Sequence, residues 1–261
     1  MPDRMTSWLA RLEHWVRLHP VAGSSGHAQL AEELARALAE CGLSVARYAH
    51  ASGHLIVARS TGTGPPLGVY GHYDVEPGGR TDMLVTDRRV FGRGVGDNLG
   101  PLALRLSVLE RYERRANLLW VIEPGEESGS HALADWVSAS GAPRAEMWLD
   151  ETGHFDVGGT QRVLAVGTAE RGADVLRRCG ELAATMGRTT RIEDRRLRRV
   201  VTDAGFSVEG LFQDAPYLAL GPNDDFSDVH GEQESLPLDT LELSMRQFEV
   251  LLDMSSGEAG R

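Results

Sequence analysis

Several histidine and carboxylate side chains share one feature, which is that each follows the end of a predicted strand. They are His72 and Asp74 after Leu67–Tyr70, Glu126 and Glu127 after Asn117–Ile122, Asp150 after Ala145–Leu149, and His230 beyond Tyr217–Leu220. Asp97 adds a carboxylate from the glycine-rich loop Gly92–Asn98. Because open α/β sheets bind ligands outside the carboxyl ends of their strands, we expect these groups to converge. Imidazoles and carboxylates are typical ligands of catalytic zinc.

Each of these residues also has an ordinary structural explanation. A single His-x-Asp is a weak signal, paired glutamates are commonly solvated, and an aspartate in a glycine loop often serves the turn. His230 is surrounded by acidic residues and could lie in an acidic surface loop. Only the combination of these residues, in this order and at strand ends, indicates a metal site.

The elements that would position these residues alternate between strand and helix. Helices are predicted near Met5–Leu18, His27–Cys41, Pro101–Arg114, Ser130–Ser140, Ala173–Thr185, Asp194–Thr202 and Thr240–Leu252. This alternation predicts an α/β fold of three layers, with a mixed, mostly parallel central sheet between helices. We expect one catalytic domain over residues 1–254 and a frayed tail over residues 255–261.

Composition excludes several classes of function. The chain has 261 residues and a formal net charge of -11, which disfavours binding to nucleic acid. All 27 basic residues are arginine, which excludes Schiff-base lysine enzymes and lysine-dependent P-loops. Cys41 and Cys179 form no CxxC pair. No signal peptide or membrane span is recognisable, so a cytoplasmic protein without membrane contact is expected.

Four blocks of sequence carry a resemblance to a known family. They are Gly71–Pro77, Phe91–Gly100, Glu123–Ser130, and Gly221–Pro222 together with His230 and Glu234. They resemble the signature sequences of the family of aminoacylase, acetylornithine deacetylase, succinyl-diaminopimelate desuccinylase and glutamate carboxypeptidase. The resemblance extends from Ser24 to Leu252 and implies a di-zinc hydrolase of amide bonds.

The resemblance also implies five zinc ligands. His72 and Asp150 would hold one ion, Glu127 and His230 would hold the second, and Asp97 would bridge the two. Such a pair of ions lowers the pKa of a shared water and polarises the scissile carbonyl.

Two further residues receive roles from the same resemblance. Asp74 would fix the imidazole of His72. Glu126 would be the general base, taking a proton from the metal-bridging water and passing it to the leaving amine.

The chain departs from the family where a lid domain, which dimerises, is usually inserted. Only 79 residues separate Asp150 from His230, and most are needed for the catalytic domain itself. We expect the lid to be missing or reduced to a short connection between about residues 172 and 195. Because the lid forms the usual dimer, we expect this protein to be a monomer or to dimerise through another surface.

Loss of the lid would remove a histidine that stabilises the oxyanion, together with groups that hold the substrate carboxylate. Tyr73 and His154 are the candidates nearest in sequence for the first role. Arg195, Arg196, Arg198 and Arg199 could grip an acidic or carrier-bound substrate, although a solvated helix face is the ordinary alternative.

Three functions stay open at this point. The first is hydrolysis of a peptide or N-acyl amino acid. The second is an amide-processing enzyme of specialised metabolism that acts on a peptide- or carrier-protein-linked substrate, because an open site would admit a bulky group. The third is a catalytically inactive, metal-binding relative. Two zinc ions per chain together with amide hydrolysis would separate the first two from the third.

Overall fold

The computed structural model describes residues 4–151, 153–168, 172–194 and 208–257. Within these ranges the helices are α1 (Arg4–Leu18), α2 (Ser25–Glu40), α3 (Leu99–Leu109), α4 (His131–Ser140), α5 (Ala173–Thr185), α6 (Glu209–Phe212) and α7 (Leu241–Ser256). The strands are β1 (Ser44–His50), β2 (Gly53–Arg59), β3 (Leu67–His72), β4 (Leu84–Val85), β5 (Arg89–Phe91), β6 (Leu118–Glu123), β7 (Met147–Leu149), β8 (His154–Phe155), β9 (Gln161–Val166), β10 (Thr190–Glu193), β11 (Tyr217–Ala219), β12 (Asn223–Asp224) and β13 (Ser235–Pro237).

The main sheet has ten strands in the order β1-β2-β6-β3-β7-β11-β9-β8-β12, and β10 pairs with β9. At its centre, β6, β3, β7 and β11 run parallel to one another. Their carboxyl ends therefore open on the same edge of the sheet. The outer strands β1 and β2 are antiparallel, as is the pairing of β11 with β9. A separate antiparallel sheet contains β13, β5 and β4.

Helices cover both faces of the main sheet, and strand alternation explains why. In β6, Leu118, Trp120 and Ile122 face the core that also contains α1, α2, α3 and α7. Leu119 and Val121 point to the other face, where they pack with side chains of α4 and α6. The prediction of a three-layer α/β fold with a mixed sheet is confirmed.

Residues 172–194 form part of the main fold. Helix α5 packs against α7, and β10 adds to the main sheet parallel to β9. Within the described residues, no separately folded unit lies between β9 and β11. The predicted helix at Asp194–Thr202 falls mostly outside the described residues.

The last helix is longer than the sequence predicts. Ser255 and Ser256, assigned to a frayed tail, belong to α7 and are buried. The backbone carbonyl of Ser255 accepts a hydrogen bond from Asn117 at 2.9 Å, and that of Ser256 accepts one from Thr63 at 2.6 Å. The domain therefore extends through these two residues. No helix in the described part of the chain has the length and apolar character needed to cross a membrane.

Candidate metal centre

His72, the last residue of β3, occupies the centre of the candidate site. Its side chain is fully buried, and its Nε2 lies 2.9 Å from Asp97 Oδ1 and 3.6 Å from Glu151 Oε2. Its Nδ1 lies 3.1 Å from the backbone carbonyl of Asp74 and 3.3 Å from Asp74 Oδ1. Burial opposes the charged imidazole, but the surrounding carboxylates, Glu151 first, raise the pKa of His72.

Asp74 connects His72 to the glutamate pair. Its Oδ1 and Oδ2 accept hydrogen bonds from the backbone N–H groups of Glu126 and Glu127, each at 3.1 Å. The same carboxylate lies beside His72 Nδ1. One buried side chain thus fixes the turn after β6 and the imidazole at the end of β3. The position agrees with the supporting role that the sequence resemblance implies for Asp74.

A second group forms around Glu127 and His230. His230 Nε2 lies 3.1 Å from Glu127 Oε2 and 3.5 Å from Asp97 Oδ2. Hydrogen bonds with Asp97 and Glu127 raise the pKa of His230 to about 10. Burial alone would raise the pKa of Asp97. The hydrogen bonds with His230 and His72 outweigh the effect of burial and lower the pKa of Asp97 below its usual value. Asp97 therefore stands between the two imidazoles.

The ligand sets can be compared directly with the prediction. Ligand atoms lie within 4.8 Å of one another in the groups His72–Asp97–Glu151, His72–Glu126–Glu127 and Glu76–Glu127–His230. The structure thus brings together four of the five predicted ligands, His72, Asp97, Glu127 and His230. Glu126 lies beside them, in one group with His72 and Glu127.

Asp150, the fifth predicted ligand, is not a member of these groups. Its carboxylate accepts the backbone N–H of Glu151 at 2.9 Å and lies near the buried guanidinium of Arg105. The chain bends after β7, and this bend carries Glu151 toward His72. The carboxylate that faces the candidate metal centre is that of Glu151, whereas Asp150 offsets a buried positive charge.

The loop that carries Asp97 is held by Glu234. Glu234 Oε1 accepts the backbone N–H groups of Gly96 at 2.9 Å and Asp97 at 3.1 Å, and Oε2 accepts that of Gly94 at 3.1 Å. Gly94 has φ +85°, and a Cβ there would meet Leu99 at 2.8 Å, so a glycine is required. The carboxylate of a distant loop thereby fixes the backbone at Asp97.

Arg93 links three loops around the site. Its Nη1 donates to Glu234 Oε2 at 2.7 Å, and its Nη2 donates to the backbone carbonyl of His230 at 3.1 Å. Its Nε donates to the carbonyl of Gly78 at 3.3 Å. Both members of the Arg93–Glu234 pair are buried. The loops that bear Asp97 and His230 are therefore fixed relative to each other.

Of the predicted substrate residues, the two that the structure describes, Tyr73 and His154, make their side-chain hydrogen bonds outside the cluster. The Tyr73 hydroxyl is buried and donates to the backbone carbonyl of His54 at 3.1 Å, while its ring stacks on His27, so Tyr73 is a packing residue. The imidazole of His154 is bound to Asp225 and makes no hydrogen bond with the cluster. Arg195, Arg196, Arg198 and Arg199 lie outside the described residues.

Sequence reasoning missed several residues that shape the site. Glu234 had a signal, since it belongs to the block that resembles a family sequence. Glu151 had one too, because two adjacent acids follow β7 and either could be the ligand. Arg93 had the same kind of signal, since it lies in the block Phe91–Gly100. Arg105 gave none, because only the fold shows that this arginine is buried.

The donor set fits zinc. His72, Asp97 and Glu151 form one group of imidazole and carboxylate donors, and Glu127 lies with His230, whose Nε2 is also 3.5 Å from Asp97 Oδ2. Nitrogen and oxygen donors of this kind hold catalytic zinc with a position left open. Glu127 Oε1 is buried, and it has no hydrogen-bond partner among the described residues, as expected for an oxygen that a cation would satisfy.

Comparisons with curated proteins find similarity to dipeptidases, one of which is named a metallodipeptidase. The human Beta-Ala-His dipeptidase is 31% identical over 98 residues, which is 31% of this chain and 19% of that protein. The Cys-Gly metallodipeptidase dug1 of Schizosaccharomyces pombe is 35% identical over 85 residues, 27% of this chain and 18% of the relative. The matched parts thus span less than a fifth of each curated relative.

Solved structures and a family profile extend the comparison to most of the chain. The M20 family metallo-carboxypeptidase Sso-CP2 from Sulfolobus solfataricus superposes with a TM-score of 0.75 at 14% identity, covering 98% of this chain and 100% of that one. The dipeptidase Dug1p from Saccharomyces cerevisiae superposes with a TM-score of 0.70 at 12% identity, covering 98% of this chain and 97% of that one. Both show the fold alone. The profile of Peptidase family M20/M25/M40 matches residues 68–253, which include every candidate ligand, and the chain therefore belongs to this family.

Proposed function

We propose that the protein is a zinc-dependent hydrolase of the amide bond in a small peptide or an N-acyl amino acid. The observation that carries this proposal is the position of Asp97, which is grouped with His72 and Glu151 and also lies 3.5 Å from His230. His72 and Glu151 would hold one ion, Glu127 and His230 would hold the other, and Asp97 would bridge them. Dipeptides are the first substrates to test, because the curated relatives are named as Beta-Ala-His and Cys-Gly dipeptidases.

Glu126 is the residue proposed to move the proton. Two zinc ions at such a site lower the pKa of a water and polarise a carbonyl. Glu126 would accept the proton of the attacking water and deliver it to the leaving amine. Its backbone is fixed by Asp74, so its carboxylate approaches the reacting atoms from a defined turn. Glu127 follows directly in sequence but faces His230, which separates the tasks of the two residues.

The decisive experiment combines zinc analysis with a mass-spectrometric screen of dipeptides and N-acyl amino acids. We expect two zinc ions per chain and hydrolysis of at least one substrate class. Glu126→Gln should keep both ions and lower kcat by about a hundredfold or more. Glu127→Gln is the matched control and should lose zinc. Zinc loss from the Glu126 variant with retained turnover would reverse the two assignments, and no hydrolysis by the zinc-loaded protein would refute the proposal.

A further inference from the structure

Glu76 brings an additional carboxylate to the candidate metal centre. Its carboxylate lies within 4.8 Å of ligand atoms of both Glu127 and His230. It is partly buried, and it makes no hydrogen bond or ion pair with the described residues. The sequence resemblance assigned it no role. Glu76 therefore places a carboxylate on the side of the site next to Glu127 and His230, where no hydrogen bond or ion pair with the described residues engages it.

The backbone around Glu76 is well anchored. Glu76 precedes Pro77, which restricts it to extended conformations. The N–H of Val75 donates to the carbonyl of Pro20 at 3.3 Å, and the carbonyl of Gly78 accepts from Arg93 Nε. The backbone that carries this carboxylate is consequently set before any ligand arrives, so only the Glu76 side chain has to be ordered for recognition.

Charge balance indicates what Glu76 would bind. Five carboxylates, those of Asp74, Asp97, Glu126, Glu127 and Glu151, carry one more negative charge than two divalent ions carry positive charge. Glu76 is a sixth, so the site keeps a negative charge after metal binding. Arg93, which reaches the same loops, is already paired with Glu234. The group that Glu76 would bind is thus a cation supplied by the substrate.

In a peptide with a free amino terminus, that cation stands close to the reacting carbonyl. The α-amine is two bonds from the carbonyl carbon of the first residue, which places the ammonium about 3 Å from the carbonyl oxygen. An N-acyl amino acid has no charge at this place. We propose that Glu76 binds the α-ammonium group and selects substrates with a free amino terminus over their N-acylated counterparts. This inference rests on the proposed function.

Binding to an inactive, zinc-loaded protein tests the selection separately from turnover. The background is Glu126→Gln, and the ligands are L-Ala-L-Ala and N-acetyl-L-Ala-L-Ala, with dissociation constants measured by calorimetry. Adding Glu76→Gln should weaken binding of L-Ala-L-Ala about tenfold or more and change binding of the acetylated peptide less than about twofold. Glu76→Asp should keep part of the preference, since it keeps the charge.

The matched control is Glu232→Gln, which makes the same change at an exposed glutamate of the His230 loop and should alter neither affinity. Zinc content is measured on every variant. Loss of zinc from Glu76→Gln would make Glu76 a metal ligand and overturn the proposal, as would equal weakening of both peptides or binding of neither. If the free peptide is preferred through Glu76 but the wild-type protein hydrolyses nothing, only the proposed function fails.

Discussion

Asp150 and Glu151 show how one step along the chain changes the role of a carboxylate. Asp150 N–H donates to the carbonyl of Leu218, so this residue still belongs to the edge of the sheet, and its carboxylate lies near Arg105. Glu151 lies in the bend that follows, and its longer side chain reaches His72. The two acids are adjacent in sequence but act on different neighbours.

This difference gives a prediction on metal content. Glu151→Gln should lower zinc occupancy by about one ion per chain, because an amide is a much poorer zinc ligand than a carboxylate. Asp150→Asn should keep both ions and instead lower the free energy of unfolding, because it removes the charge near Arg105. Elemental analysis and urea unfolding measure the two effects. Retained zinc in the Glu151 variant, with loss in the Asp150 variant, would restore the ligand set implied by the sequence.

Glu123, the last residue of β6, is a buried carboxyl group. Ser130 Oγ donates to its Oε1 at 3.0 Å, and the Tyr70 hydroxyl donates to the same oxygen. Its Oε2 is buried without a hydrogen-bond partner among the described residues. Burial raises the pKa of Glu123 to about 7, although the hydrogen bond from Tyr70 opposes this shift. The folded protein thus favours the neutral acid.

Protonation of Glu123 makes the free energy of unfolding depend on pH. The folded pKa of Glu123, about 7, lies above its usual value of 4.5, so its contribution to stability is complete below pH 4.5 and is lost as pH rises through 7. Relative to Glu123→Gln, the wild-type protein should lose up to about 3 kcal/mol of unfolding free energy across this window. Urea titrations in chelator measure it, and parallel pH profiles for both proteins would contradict it.

At the scale of elements, Arg105 of α3 joins three strand ends. Its guanidinium is buried and donates to the backbone carbonyls of Tyr70 at 3.0 Å and Glu151 at 3.1 Å, and also to that of Asp150. It further reaches the carbonyl of Leu220 at 3.5 Å. Burial lowers its pKa to about 10, so it remains charged at neutral pH. The ends of β3, β7 and β11 therefore share one cation.

Removing this cation should destabilise the fold. Arg105→Met leaves buried carbonyls without a donor and Asp150 without a nearby positive charge, which should cost about 3–5 kcal/mol of unfolding free energy. Arg17→Met is the control, since Arg17 is exposed and, among the residues that the structure describes, pairs with Glu13 one helical turn away. It should cost about 0.5 kcal/mol or less. Urea unfolding compares the two, and equal losses would refute the bridging role of Arg105.

Sequence periodicity predicted the elements that hold the site better than it predicted the site's details. The strand Leu67–Tyr70 and the helix Ala173–Thr185 were found because apolar runs and helical spacing are local signals. The hairpin of β4 and β5 was missed, because β4 is exposed and only two residues long. Contacts such as that of Arg93 with Glu234 depend on residues far apart in sequence, which no local pattern encodes.

At the scale of the whole molecule, the candidate centre is assembled from loops that the sheet brings to one edge. His72, Asp97, Glu127, Glu151 and His230 each belong to a different segment of the chain. Between β9 and β11, the described residues add α5 and β10 to the main fold. An open site, and a monomer or a dimer through another surface, remain predictions. Light scattering can distinguish the monomer from a dimer.

Because the candidate ligands come from separate segments, zinc should stabilise the whole domain. A ligand that binds only the folded state at a thousandfold excess over its Kd adds about 4 kcal/mol. For domains of 150–250 residues each kcal/mol raises Tm by about 2–4 °C, so zinc should raise it by about 8–16 °C over protein in EDTA.

Asp97→Ala removes the shared ligand, so it should abolish most of this difference. Differential scanning calorimetry measures both proteins. An undiminished zinc effect in the Asp97 variant would show that the ions bind elsewhere, because Asp97 is the carboxylate that both imidazoles contact.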